Sequence, residues 1–117
     1  MTSLLSSQED TSVGFYVAGA SVDDALVVTL AGEVDVACQE QVSEFVRLEV
    51  EACPGTLVID MARVTFVDST GLSMLVKAHR TVAAKGGRVV VRSPNEQFRR
   101  LLRLTGVDAL IAIEGGT

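Results

Sequence analysis

The feature that most constrains this fold is the alternation of short β-branched runs with longer segments of helical periodicity. Five runs predict strands and three segments predict helices, with Gly or Pro between them, in the order ββαβαβαβ. Strands separated by helices favour parallel pairing through right-handed crossovers, whereas the first two runs are joined by a tight turn at Asp23 and Asp24 and should be antiparallel. The sequence therefore predicts an α/β domain with a mixed sheet of about five strands and three main helices.

The ends of these elements follow from local signals. The predicted strands cover residues 13–20, 25–31, 56–60, 88–92 and 110–113, with a loop at 61–64. Asp35 is the predicted N-cap of the first helix, and Gly86 and Gly106 end the second and third. Ser93, followed by Pro and by Glu96 three residues on, predicts a capping box at the start of the third helix.

Apolar residues at helical spacing predict which face of each helix is buried. The predicted faces are Val42, Phe45, Val46, Val50 and Cys53; then Leu72, Leu75, Val76, His79 and Val82; and finally Phe98, Leu101, Leu102 and Thr105.

Length and charge exclude several classes of protein. A chain of 117 residues forms one domain, predicted over residues 13–117 after a polar, flexible tail at 1–12. A net charge of −5 disfavours nucleic-acid binding and anionic membrane surfaces. There is no leader pattern, and no apolar stretch reaches the roughly 20 residues of a membrane helix, so a cytoplasmic protein is expected.

The two cysteines do not predict a disulfide or a metal site. Cys38 and Cys53 fall in one predicted helix, where 15 residues span roughly 22 Å, and a disulfide needs Cα atoms within about 7 Å. They are too few for a zinc site, and the single histidine, His79, is distant in sequence. We expect free thiols, no metal and no cofactor.

The candidate functional residues cluster at the end of the strand that precedes the second helix. They are Asp68, Ser69, Thr70 and Gly71. A hydroxyl there either caps the helix or belongs to a functional loop, since ligands and anions bind at such β-to-α junctions. The spacing of these residues matches neither the aspartic-protease motif nor the nucleophile-elbow motif. His79 lies about 15 Å along the helix, which is too far to activate Ser69 as a base. An enzyme is therefore not expected.

Two segments together carry a resemblance to a known family. Residues 64–72, Val-Thr-Phe-Val-Asp-Ser-Thr-Gly-Leu, resemble the signature of bacterial anti-sigma factor antagonists, which are STAS domains. Residues 32–35, Gly-Glu-Val-Asp, are similar to that family's Gly-Glu-Leu-Asp element. The resemblance extends over about residues 13–113.

The resemblance implies a fold and a function. The fold is the STAS-type right-handed β/α superhelix, with helices chiefly on one side of the sheet. Ser69, in preference to Thr70, is the implied phosphoacceptor for an anti-sigma factor that is itself a serine kinase. The unphosphorylated antagonist binds this kinase and releases the sigma factor for transcription, phosphorylation abolishes binding, and a serine/threonine phosphatase reverses it. Asp35 is implied to assist the encounter with the kinase.

The expected partner-binding surface comprises both segments and the exposed side of the following helix. Its residues are Gly32, Glu33, Asp35, Asp68, Ser69, Thr70, Gly71, Ser73, Lys77 and Arg80. The alternative is a non-switching STAS subunit of a transport or signalling complex, although such subunits often lack a phosphorylatable loop.

Overall fold

The computed structural model describes residues 8–9, 15–35, 38–51 and 55–115 of the chain. Its strands are β1 (Gln8–Glu9), β2 (Phe15–Val22), β3 (Ala25–Val34), β4 (Thr56–Val67), β5 (Arg88–Arg92) and β6 (Ala112–Glu114). Its helices are α1 (Gln39–Glu51), α2 (Ser69–Ala84) and α3 (Glu96–Thr105), and a short 3₁₀ turn at Val107–Ala109 leads into β6.

The strands form one mixed sheet in the order of the chain, β1-β2-β3-β4-β5-β6. β1, β2 and β3 are antiparallel neighbours, and the three pairs from β3 to β6 are parallel. The predicted mixed sheet and three helices are confirmed. β1 is additional: it lies inside the predicted tail at 1–12, where Gln8 and Glu9 pair with Val17 and Tyr16. The rest of that predicted tail lies outside the described residues.

All three helices bury side chains in one core on one face of the sheet. Phe45 of α1, Leu75 of α2 and Phe98 of α3 belong to the same buried cluster. The strands contribute alternate residues to it, since successive side chains point to opposite faces. The central strand contributions are Leu26, Val28, Leu30, Leu57, Ile59, Val89 and Val91. β3 and β4 are parallel neighbours, so the connections that follow them, β3–α1 and β4–α2, lie together at the same end of the sheet.

The predicted loop at 61–64 is wrong, because β4 continues to Val67. The register with β3 shifts twice, and at each shift β4 holds one extra residue, so Val64 and Val67 are buried at a spacing of three instead of two. Gly32, on the facing strand at the second shift, has a φ of +89°, a left-handed conformation that favours glycine. Asp60 suggests the end of a strand, because Asp is uncommon within strands. In the structure the strand continues, and the Asp60 carboxylate accepts a hydrogen bond from the Ala62 amide (3.0 Å).

Helix ends agree with the sequence at two glycines and disagree at one cap. Gly86 and Gly106 have φ of +83° and +80°, as left-handed helix terminators should. The predicted capping box is wrong: Asn95 is the N-cap of α3, and its side-chain oxygen accepts the Phe98 amide (2.8 Å). Ser93 instead has a φ of +55° and donates its backbone amide to the Glu114 carbonyl (2.7 Å), which ties it to β6.

Helix faces were predicted in part. Val42, Phe45, Leu75, Val82, Phe98 and Leu102 are buried as expected. In α2 the buried positions also include Met74 and Ala78, while His79 is half-buried. Thr105 is exposed, and Glu49 of α1 is buried. The side chains of Val46 and Val50, and Cys53 as a whole, lie outside the described residues. The last strand begins at Ala112 instead of residue 110, after the 3₁₀ turn.

Candidate functional site

Asp68 stands between β4 and α2 and caps the helix. Its backbone is extended, and Oδ1 accepts the amide of Thr70 (2.8 Å). Its carbonyl accepts the amides of Gly71 (3.0 Å) and Leu72 (3.4 Å). The bonds from Thr70 and Gly71 satisfy two amides of the first turn that have no regular intrahelical partner, and the bond from Leu72 is the first regular bond of the helix. The interpretation of Ser69 or Thr70 as the N-cap is therefore wrong.

Capping by Asp68 leaves the neighbouring hydroxyls free of that task. Within the described part of the chain, the hydroxyls of Ser69 and Thr70 make no hydrogen bond. Ser69 is exposed, whereas Thr70 is half-buried. Ser69 thus presents an accessible hydroxyl on the first residue of a helix.

Gly71 fixes how closely the first turn of α2 approaches the sheet. It is buried, and a Cβ built on it would overlap the Val67 Cγ2 methyl and lie 3.4 Å from the Val34 Cγ1 methyl. Glycine is needed here for close packing, since a larger residue would push the helix start away from β3 and β4. The position of Ser69 therefore depends on this glycine two residues later.

The connection after β3 lies beside this turn. The Asp68 amide donates to the Val34 carbonyl (3.2 Å), and the register pairs Glu33 with Phe66 and Val34 with Val67. Glu33 is exposed and Asp35 is half-buried. The structure therefore brings the two predicted segments, 32–35 and 68–71, into one site with several carboxylates.

Cys38 lies beneath the first of these segments. Its thiol is buried, 5% exposed, and donates to the carbonyl of Asp35 (3.3 Å), with the Glu33 carbonyl at 3.7 Å. Burial raises the pKa of the Cys38 thiol above its ordinary value of 9.0; the carboxylates of Asp35 and Asp68 act in the same direction, and the hydrogen bond to Asp35 opposes them. The thiol is thus a neutral donor that holds the loop.

Four polar residues of α2 continue the surface away from Ser69. Ser69, Ser73, Lys77 and Arg80 are all exposed and follow one another at intervals of three or four residues, which places them on one side of the helix. The sequence placed Ser73, Lys77 and Arg80 on this exposed side, and the structure agrees.

Residues 16–115 match the STAS domain family. The chain belongs to this family. Among its relatives is an anti-sigma-B factor antagonist of Bacillus subtilis (strain 168), 32% identical over 99 residues that cover 80% of this chain and 89% of the relative. The resemblance drawn from the two sequence segments is thereby confirmed at the level of the family.

Solved structures of STAS proteins share the fold. An anti-sigma factor antagonist from Mycobacterium paratuberculosis is 27% identical, with a TM-score of 0.76 over 91% of this chain and 90% of the other. The Bacillus protein SpoIIAA, solved unphosphorylated and phosphorylated, is 20% and 21% identical, with TM-scores of 0.69 and 0.70. These two structures cover 88% of this chain and 89% and 91% of SpoIIAA, and at such identity they show the fold alone.

Phe66 lies beside this site, a position that the sequence did not single out. It is 40% exposed, two residues before Asp68 and in register with Glu33. Strict alternation from the buried Val67 would also have left Phe66 outside, but it would have exposed Val64, which is buried. The available signal was an aromatic residue two positions before Asp68 in a chain with 4% aromatics.

Other candidates for chemistry lie apart from the site. His79 is half-buried on α2, and its Nδ1 atom has no hydrogen-bond partner within the part of the chain that the structure describes. Among the described residues, no three His, Cys, Asp or Glu side chains are arranged to hold a metal ion. The described helices include none that is long and apolar enough to cross a membrane.

Proposed function

We propose that this STAS domain is an anti-sigma factor antagonist whose binding to an anti-sigma factor kinase is switched off by phosphorylation of Ser69. The observation that carries the proposal is that the hydroxyl of Ser69 is exposed and is not used to cap the helix, because Asp68 is the N-cap. A serine that capped its own helix would lose that bond on modification, whereas Ser69 can accept a phosphate without breaking a bond of the fold. The names of the relatives support the same function.

The local charges explain how a phosphate would act. It adds about −1.5 to −2 charges at neutral pH. Asp68 already occupies the amides of Thr70, Gly71 and Leu72, so these donors are not free to neutralise the phosphate. The group would project into solvent next to Asp68. The helix dipole tolerates the charge, while a partner surface that fits the unmodified site meets a concentrated negative charge.

The roles of the neighbouring residues follow from their positions. Gly71 sets the height of the serine above the sheet, and Gly32 permits the backbone turn that presents Glu33 and Asp35. Ser73 and Lys77 extend the contact along α2. Phosphoryl transfer is assigned to the partner kinase, and removal of the phosphate to a serine/threonine phosphatase.

The decisive experiment compares Ser69→Ala and Ser69→Asp for binding to candidate anti-sigma factor kinases by isothermal calorimetry. We expect Ser69→Ala to bind as the unmodified chain does and Ser69→Asp to bind at least about tenfold more weakly, or about 1.4 kcal/mol. Mass spectrometry after incubation with kinase and ATP should locate one phosphate on Ser69, and Thr70→Val should still be phosphorylated. Equal affinities of the two Ser69 variants, or labelling elsewhere, would contradict the proposal and favour the non-switching alternative.

A further inference from the structure

A groove lies between α1 and α2. Its volume is about 400 Å³, within the range of roughly 300–1,000 Å³ typical of ligand sites. The lining residues are Ser43, Arg47, Glu51, Met74, Lys77, Ala78, Arg80 and Thr81. The space accommodates a few side chains of a partner segment.

The rim of the groove is basic in a chain that is acidic as a whole. Arg47, Lys77 and Arg80 lie on it against the single carboxylate of Glu51, while the net charge of the chain is −5. Arg47 forms an exposed ion pair with Glu44 (2.8 Å). In the described part of the chain, Lys77 and Arg80 form no ion pair. Two unpaired cations on adjacent turns of α2 thus face a cleft that already holds a third.

The floor of the groove is apolar. Met74 and Ala78 line it between the charged residues, and both also belong to the core. Methionine adapts to irregular apolar surfaces, which suits contact with a side chain from another protein. The combination of apolar floor and cationic rim favours a segment that carries both acidic and aliphatic residues. A free small anion is less well matched, because Arg47, Lys77 and Arg80 are all exposed and enclose no buried anion site.

We propose that this groove receives an acidic, partly aliphatic segment of the anti-sigma factor, as a second contact beside the Ser69 site. The assignment to that partner rests on the proposed function, and it is supported by continuity, since Lys77 belongs both to the groove and to the exposed stripe that begins at Ser69. Glu51, at the α1 side, disfavours a further acidic residue there and so restricts which segments fit.

Charge reversal tests the groove in the assay used for Ser69. The variant Arg47→Glu with Arg80→Glu should bind the kinase at least about tenfold more weakly and with a shallower salt dependence. The matched control, Arg88→Glu with Arg100→Glu, changes the charge equally at exposed positions outside the groove and should bind within about twofold of the unmodified chain. Thermal unfolding of both variants checks that the fold is retained.

A peptide titration tests the groove without the kinase. The probe is a peptide of about twelve residues with alternating pairs of Glu and Leu. Its binding is measured from changes in the ¹⁵N chemical shifts of the full chain. We expect shifts concentrated at Ser43, Lys77, Arg80 and Thr81 that are lost in the double groove variant and absent with a Lys and Leu peptide. Shifts elsewhere, or equal shifts in the groove variant, would overturn the proposal.

The two proposals fail in different ways. If Ser69→Asp weakens kinase binding and the groove variant does not, the groove proposal alone is overturned. If the unmodified chain binds no candidate kinase, the proposed function is overturned, and the peptide titration decides whether the groove binds acidic segments.

Discussion

Asp68 satisfies the amides of Thr70, Gly71 and Leu72 with one side-chain oxygen and its carbonyl. At the scale of single residues, this arrangement separates structure from function at the site. The carboxylate maintains the helix start, and the hydroxyl of Ser69 is left exposed. A sequence of three consecutive polar residues did not reveal which of them was the cap, because Asp, Ser and Thr are all favourable there.

Cys38 gives the fold a dependence on alkaline pH. Burial raises the pKa of its thiol above the ordinary value of 9.0 that serves as the reference for the unfolded chain. As the pH rises past the unfolded pKa, the unfolded chain loses this proton first, so the free energy of unfolding should fall. Below the unfolded pKa the contribution is fully present. Urea denaturation from about pH 7 to about pH 10 should show this decline, and Cys38→Ala should reduce its slope.

All other ionisable groups are the same in the two proteins, so their contributions cancel in the comparison of slopes. An identical pH dependence for Cys38→Ala and the unmodified chain would contradict the inference that the folded state disfavours the Cys38 thiolate. Slow alkylation of Cys38 relative to the urea-unfolded chain provides an independent measurement, since reaction needs the thiolate.

At the scale of elements, the second half of β4 positions the site. β5 pairs only with residues 56–60 of β4, so the residues that lead to Asp68 have β3 as their described partner. The two register shifts against β3 increase the local twist and direct Val67 into the core beneath Gly71. The position of Ser69 is therefore a consequence of pairing with a strand that lies some thirty residues earlier in the chain.

The start of α3 supports a prediction at this scale. Asn95→Ala should lower the free energy of unfolding by about 1 kcal/mol, because the Phe98 amide loses its acceptor. Asn95→Asp should retain most of the stability, since Asp caps as well. Urea denaturation followed by circular dichroism measures both.

Ser93 provides the contrasting variant. Ser93→Gly should be neutral or slightly stabilising, because Ser93 has a φ of +55°, which glycine adopts without strain. If Ser93 were the cap, as the sequence pattern predicted, Ser93→Gly would instead destabilise by a few tenths of a kcal/mol, and Asn95→Ala would have little effect. A destabilising Ser93→Gly together with a neutral Asn95→Ala would contradict the cap that the structure assigns.

At the scale of the whole molecule, one core joins the three helices to the sheet. A cavity of about 30 Å³ within it is lined by residues of β3, β4 and all three helices, including Val28, Val42, Gly71 and Phe98. Its lining is apolar, so it is expected to be dry. The start of α2, which carries Ser69, is thereby packed into the same core as α3.

Phe98→Ala tests this shared core. The side chain is 1% exposed, and its removal should lower the free energy of unfolding by about 3–5 kcal/mol in a single transition seen by all probes. Leu104→Ala, at a position that is 74% exposed on the same helix, should change it by less than about 0.5 kcal/mol. Separate transitions for α3 and for the rest of the chain would contradict a single cooperative core.

The sequence by itself determined the features that depend on neighbouring residues: the order of the five main strands and three helices, the left-handed ends at Gly86 and Gly106, and the motif that holds Ser69. Its resemblance to the STAS family also paired residues 32–35 with 68–71, which no local pattern required. Only the tertiary structure decided that β4 runs on through residues 61–67, that Asn95 replaces Ser93 as a cap, and that Arg47 and Arg80 face one groove. The physical reason is range: glycine conformations and helical periodicity act within a few residues, whereas strand register, close packing and grooves between helices depend on partners far away in the chain.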